Sequence, residues 1–225
     1  MCNDIMDEAN EVSKMDDEYI EMDASDLPDF RKSLANLIEG QDIDANMLSS
    51  LSSLVEPDMS EFLKGLTSVD SIRRRELVSR MVQQAELDFR LDFVDLFFHL
   101  LADEDARVRE SAVNGLWEHD RVQFIRPLVK LLEHDPDYGV RAAAATSLGR
   151  YLFMAECDEL DERRAALVRD ALHEAVRRGP DIEVQRRALE SIAYLAEEWV
   201  MDLVDLAYDH EDPWMRQSSL FAMGR

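Results

Sequence analysis

Cations, cysteines and turn-forming residues are all scarce in this sequence. Its 225 residues carry 25 Lys and Arg against 49 Asp and Glu, a formal net charge of −24. Nucleic-acid phosphates and anionic lipid surfaces attract cationic side chains, so neither is expected as a partner. Cys2 and Cys157 are the only cysteines, too few for a disulfide framework, and no basic leader followed by an apolar stretch opens the chain. A reducing, cytoplasmic setting is therefore expected. Seven Gly and six Pro are too few for the many tight turns of a sandwich or barrel. No apolar run approaches the roughly 18 to 20 residues that span a bilayer. The densest, Phe93 to Leu101, is interrupted by Asp95 and closed by Asp103. What is present, 46% hydrophobic and 33% charged residues, describes a buried core under a strongly solvated surface, and an all-α fold.

The chain divides into three parts. In residues 1–30, eleven acidic residues against Lys14 alone leave a charge of −10. Self-repulsion favours a solubilising acidic arm. Yet Ile5, Ala9, Val12, Met15 and Tyr19 recur every three or four residues, the stripe of an amphipathic helix able to fold onto a groove of its own chain or of a partner. Residues 31–91 form a helical region with one divergent helix pair at 59–86, whose second helix opens with Arg73, Arg74 and Arg75. Two readings of that basic run stand side by side: a solvated helix face, and a docking site for an acidic segment such as the arm. A helix start disfavours cations, which keeps the second reading in play.

Residues 92–225 repeat. Segments starting at Asp105, Asp137, Asp181 and Asp212 superpose without gaps. Each Asp precedes by three an apolar residue (Val108, Val140, Val184, Met215), followed four later by a small one (Ala112, Ala144, Ala188, Ser219) and four beyond by Leu116, Leu148, Ile192 or Met223. This is one face of a helix with an Asp placed to cap its start. A second helix lies upstream in fixed register, marked by Leu96, Leu128, Leu172 and Leu203. Four units follow, 92–120, 121–153, 162–198 and 199–225, the last short enough to be incomplete, with an acidic insertion from Met154 to Arg164. A helix pair cannot bury its apolar stripe alone, so the units are expected to stack as a solenoid.

The pattern Asp-x-x-Val-Arg-x-x-Ala-x-x-x-Leu, closest from Asp105 and Asp137, resembles HEAT repeats, especially the short bacterial type also found in phycobilisome bilin lyases. The resemblance implies a right-handed α-solenoid of stacked antiparallel helix pairs. It further implies an Asp–Arg ladder along the stack, here Asp105, Arg109, Asp137, Arg141, Asp181, Asp212 and Arg216, with Gln185 in place of the third Arg. It covers 92–225 closely and the pair at 59–86 loosely.

The five histidines never fall at the i, i+4 spacing that puts two ligands on one helix face, and acidic neighbours make Cys157 a poor nucleophile. No catalytic, cofactor or metal residue is assigned. The alternating acids Asp103/Asp105 and Asp135/Asp137 are read as helix caps. Function is then expected on the surface. With the second helix of each unit taken as the concave lining, the partner-binding candidates are Glu110, Asn114, Trp117, Arg150, Arg187, Glu190 and Tyr194, with Trp214 as a further exposed aromatic. The leading expectation is a non-catalytic scaffold or adaptor for a protein with a basic surface or segment. The alternative, carried only by the resemblance, is a bilin lyase-like enzyme or chaperone. Leu220, Phe221 and Met223 add an expectation of self-association, or of a continuing array, at the last helix.

Overall fold

The computed structural model describes residues 29–224. The acidic arm expected over 1–30 lies outside the described residues apart from Asp29, which caps the first helix, and Phe30, which is buried. Among the described residues there are twelve α-helices and one short 3-10 turn. The helices are α1 (Phe30–Ile38), α2 (Ala45–Ser50), α3 (Asp58–Leu66), α4 (Ser71–Leu87), α5 (Val94–Leu100), α6 (Ala106–Gly115), α7 (Ile125–His134), α8 (Tyr138–Glu156), α9 (Glu162–Arg178), α10 (Ile182–Ile192), α11 (Glu198–Tyr208) and α12 (Pro213–Met223).

The fold is all-α and built from sequential pairs: α5 packs on α6, α7 on α8, α9 on α10 and α11 on α12. The second helices α4, α6, α8, α10 and α12 each pack on the next, making one continuous column. Small residues let the helices of this column come close. A Cβ on Gly149 of α8 would lie 2.8 Å from the Cβ of Ser191 and 3.1 Å from its Cα. The first apolar markers Val108, Val140, Val184 and Met215 are all buried, and Val108, Val184 and Met215 belong to one core that runs along the stack, whereas the last marker, Met223, is half-exposed. The insertion lengthens the end of α8 and the start of α9, with Asp161 capping the latter.

Asp105, Asp137 and Asp212 cap their helices as the pattern anticipates, each accepting from two backbone N–H groups of the first turn. Asp70 does the same for α4. The ladder differs from the expected one. Arg109 meets Asp135 rather than Asp137, through Nε and Nη2 at 2.8 Å each, and both side chains are about nine-tenths buried or more. Its Nη1 donates to the carbonyls of Asp103 and Glu104. Asp137 caps α8 and the acid two residues earlier takes the guanidinium; Asp135 also accepts from the N–H of Asp137 at 2.9 Å. Asp103 has the same role in the preceding layer, accepting from the N–H of Asp105 and pairing with Arg74. In the third unit the equivalent position is Gly179, which has no carboxylate. Asp181 therefore pairs with Arg141 and makes no side-chain cap, contrary to the expected capping.

The basic run is absorbed into this system. Arg74 is buried, donates to the carbonyl of Val69 and pairs with Asp103 and Glu104. Arg75 grips Asp105 through Nε at 2.9 Å and Nη2 at 2.5 Å. The solvated-face reading fails for buried Arg74, whereas Arg75 is exposed and its guanidinium is held by Asp105. Removing one partner of a buried pair such as Arg109–Asp135 costs about 3–5 kcal/mol, because the other charge is left in a poorly solvated place.

Candidate functional site

The helix column carries a groove of about 830 Å³. Its walls come from α6, α8, α10 and α12 and the residues just after them, because a fixed register brings one position of each repeat to this surface. That position, five residues after the ladder position, is Asn114, Thr146, Glu190 and Phe221, and all four line the groove. Trp117 follows the end of α6 and is 54% exposed, while Phe153, two turns beyond Thr146 on the long α8, is 52% exposed. The rings of Phe153 and Tyr194 lie 5.6 Å apart, tilted. Phe221 is 50% exposed on the far wall.

The polar lining is held in place. Arg150 donates from Nη1 to the carbonyl of Trp117, tying the end of α6 to α8. Glu190 accepts from Arg187 at 3.0 Å and from the hydroxyl of Ser218 at 2.6 Å. Burial works against the charge on Arg187, yet Glu190 and Glu183 together raise its pKa. Burial also pushes the phenol of Tyr151, on the buried face of α8, up to about 12, and its hydroxyl donates to the Arg121 carbonyl at 3.1 Å. Glu118 completes the lining as a second carboxylate. The site therefore offers an aromatic floor, one guanidinium and two carboxylates. Among the described residues no group of His, Cys, Asp and Glu is placed to hold a metal ion.

Of the candidates named from sequence, the structure gathers Asn114, Trp117, Arg150, Glu190 and Tyr194 around one groove. Glu110, Arg187 and Trp214 are not part of its lining. Glu110 is half-buried and bonded to Arg107, and Arg187 positions Glu190 from the side. Trp214, 60% exposed, has the Arg186 guanidinium 5.6 Å from its ring centroid. Phe153 and Phe221 were not among those candidates, although the repeat register contains Phe221 and the uninterrupted helical pattern after Gly149 contains Phe153.

Residues 94–176, from α5 into α9, match the family model described as HEAT repeats. HEAT-repeat proteins generally mediate protein interactions. Among solved structures, a crystal structure of an engineered protein is similar at 17% identity and a TM-score of 0.46, over 85% of this chain and 95% of that one. No curated protein matches. No helix among the described residues is long and apolar enough to cross a membrane.

Proposed function

We propose that the protein is a non-catalytic scaffold or adaptor that receives a segment of a partner protein in the groove between Trp117 and Phe221. The observation that supports this is three large aromatics, each about half exposed, around one concavity on a surface that is otherwise strongly charged. Exposed apolar surface of that kind has a free-energy cost in water that a partner's apolar side chain relieves, and aromatic residues dominate binding hot spots. The net charge of −24 and the carboxylates Glu118 and Glu190 favour a partner whose anchor is flanked by Arg or Lys. A cytoplasmic location belongs to the same proposal. So does a second contact surface on α12, where Leu220 and Met223 are half-exposed although their counterparts Val113, Ala145 and Leu189, and Leu116, Leu148 and Ile192, are buried.

The test is retention of protein from the native source on the immobilised chain at two salt concentrations, beside a Trp117→Ala/Phe153→Ala variant. One stoichiometric, colourless partner is expected. Loss of two hot-spot aromatics should weaken it by about 30-fold or more, and salt should weaken it further. Equal retention by the variant contradicts the groove. A tetrapyrrole absorbance in the eluate contradicts the adaptor reading in favour of the bilin-handling one.

A further inference from the structure

With Arg74 and Arg75 engaged in the helix stack, the cations without an ion-pair partner become informative. On the edge of the stack, where α7 and α9 begin, Val122, Gln123, Ile125, Arg126, Asp161, Arg163, Arg164 and Leu167 surround a second groove of about 500 Å³. Among the described residues neither Arg126 nor Arg163 has an ion-pair partner, and both are exposed; Lys130, one turn beyond Arg126 on α7, is likewise unpaired. Arg164 is shared with Asp161 of its own turn. Three arginines against one carboxylate make this a cationic surface on a chain of net charge −24. Val122 and Leu167, 41% and 36% exposed, place apolar surface beside the charges.

The sequence contains a segment of matching chemistry. In residues 1–28, ten acidic residues against Lys14 leave −9, and the Ile5, Ala9, Val12, Met15, Tyr19 stripe runs between acids. We propose that residues 1–28 bind intramolecularly in the α7–α9 groove, acids toward Arg126 and Arg163 and apolar stripe toward Val122 and Leu167. Reach permits it. Twenty-eight residues span up to about 90 Å extended, and the four helix layers from α1 to α9, at about 10 Å each, separate the ends by roughly 40 Å. Bringing −9 onto unpaired guanidiniums relieves the segment's self-repulsion, which gives this groove an advantage over the acidic remainder of the surface. The contact lies on a different surface from the aromatic groove and does not depend on the function proposed for that groove.

The two cysteines of the chain supply the probe. Cys2 lies in the segment, and Cys157 is exposed, four residues and therefore at most about 14 Å of chain from Asp161 of the groove. Spin labels on both, in the full-length protein, report their separation by pulsed dipolar spectroscopy. A distinct short-distance population is expected, lost in Arg126→Glu/Arg163→Glu and in Asp16→Asn/Asp17→Asn/Glu18→Gln/Glu21→Gln. Both arginines are exposed, so unchanged circular dichroism and thermal midpoint are expected for the first variant. A broad distribution in the unaltered chain, or a short distance that survives the arginine reversal, overturns the proposal. A short distance that disappears when labelled protein is diluted with unlabelled protein also overturns it, by showing contact between copies.

Discussion

Asp105 carries two duties, capping α6 and holding Arg75 of α4, and the Arg75 hydrogen bonds keep its carboxyl depressed to about 2. A depressed carboxyl contributes stability that is fully present above its ordinary value of about 4 and is lost as pH falls through about 2. In a carboxyl-carbon NMR titration, Asp105 should therefore inflect near 2, and Arg75→Ala should move the inflection toward about 4. An inflection near 4 in the unaltered protein contradicts the assignment. At this scale capping was legible for Asp105, Asp137 and Asp212, since an Asp three residues before an apolar marker has the first-turn N–H groups within reach, but not for Asp181, whose carboxylate pairs with Arg141 instead. The ladder acid was not. Asp135 and Asp137 are equally spaced candidates along the chain, and only the packing of α6 on α8 decides which one meets Arg109.

Between α10 and α12 the stack departs from its own rule, and it does so on both sides of the contact. Gln185 replaces the ladder Arg and keeps only the loop contact, donating to the Gly179 carbonyl at 2.7 Å. Opposite it, the position of Asp103 and Asp135 is His210, whose Nδ1 accepts from the N–H of Asp212 at 3.0 Å as the carboxylates do. A carboxylate here would have Gln185 instead of a ladder guanidinium across the stack, and the imidazole nitrogen supplies the acceptor in its place. The connection moves one residue along, Arg186 donating to Ser218 at 3.1 Å and Ser218 to Glu190. Gln185→Arg and His210→Asp should each be neutral or destabilising alone and favourable together, with a coupling of about 1 kcal/mol or more from urea midpoints. Additive effects contradict the rung. The missing Arg was visible in the sequence; its compensation at His210 was not, because a lone histidine near a helix end carries no mark of what it replaces. The pair at 59–86 was similarly obscured, since Arg73 stands where the other units have Val or Met, although Asp70 and Arg74 keep the cap and ladder positions.

Across the whole molecule, repeat register determines what the surface can do. Helix pairs stacked at constant register place Asn114, Thr146, Glu190 and Phe221 in one row, and the long α8 carries Phe153 beside them. The stacked all-α architecture was legible because its period is written four times. The groove was only partly legible: five of the eight candidates line it, whereas Glu110, Arg187 and Trp214 are turned into ion pairs or away from the concavity. The charge of −24 is unevenly distributed, −10 of it in residues 1–30, and the cationic α7–α9 groove depends on which arginines the ladder leaves unpaired, a property of tertiary structure alone. The most direct measurement on the central claim is hydrogen exchange of the full chain with and without its captured partner. Protection is expected over the ends of α6 and α8, Glu190 to Tyr194, and α12 around Phe221. Protection confined to other surfaces, with those segments unchanged, would contradict a partner seated in the aromatic groove.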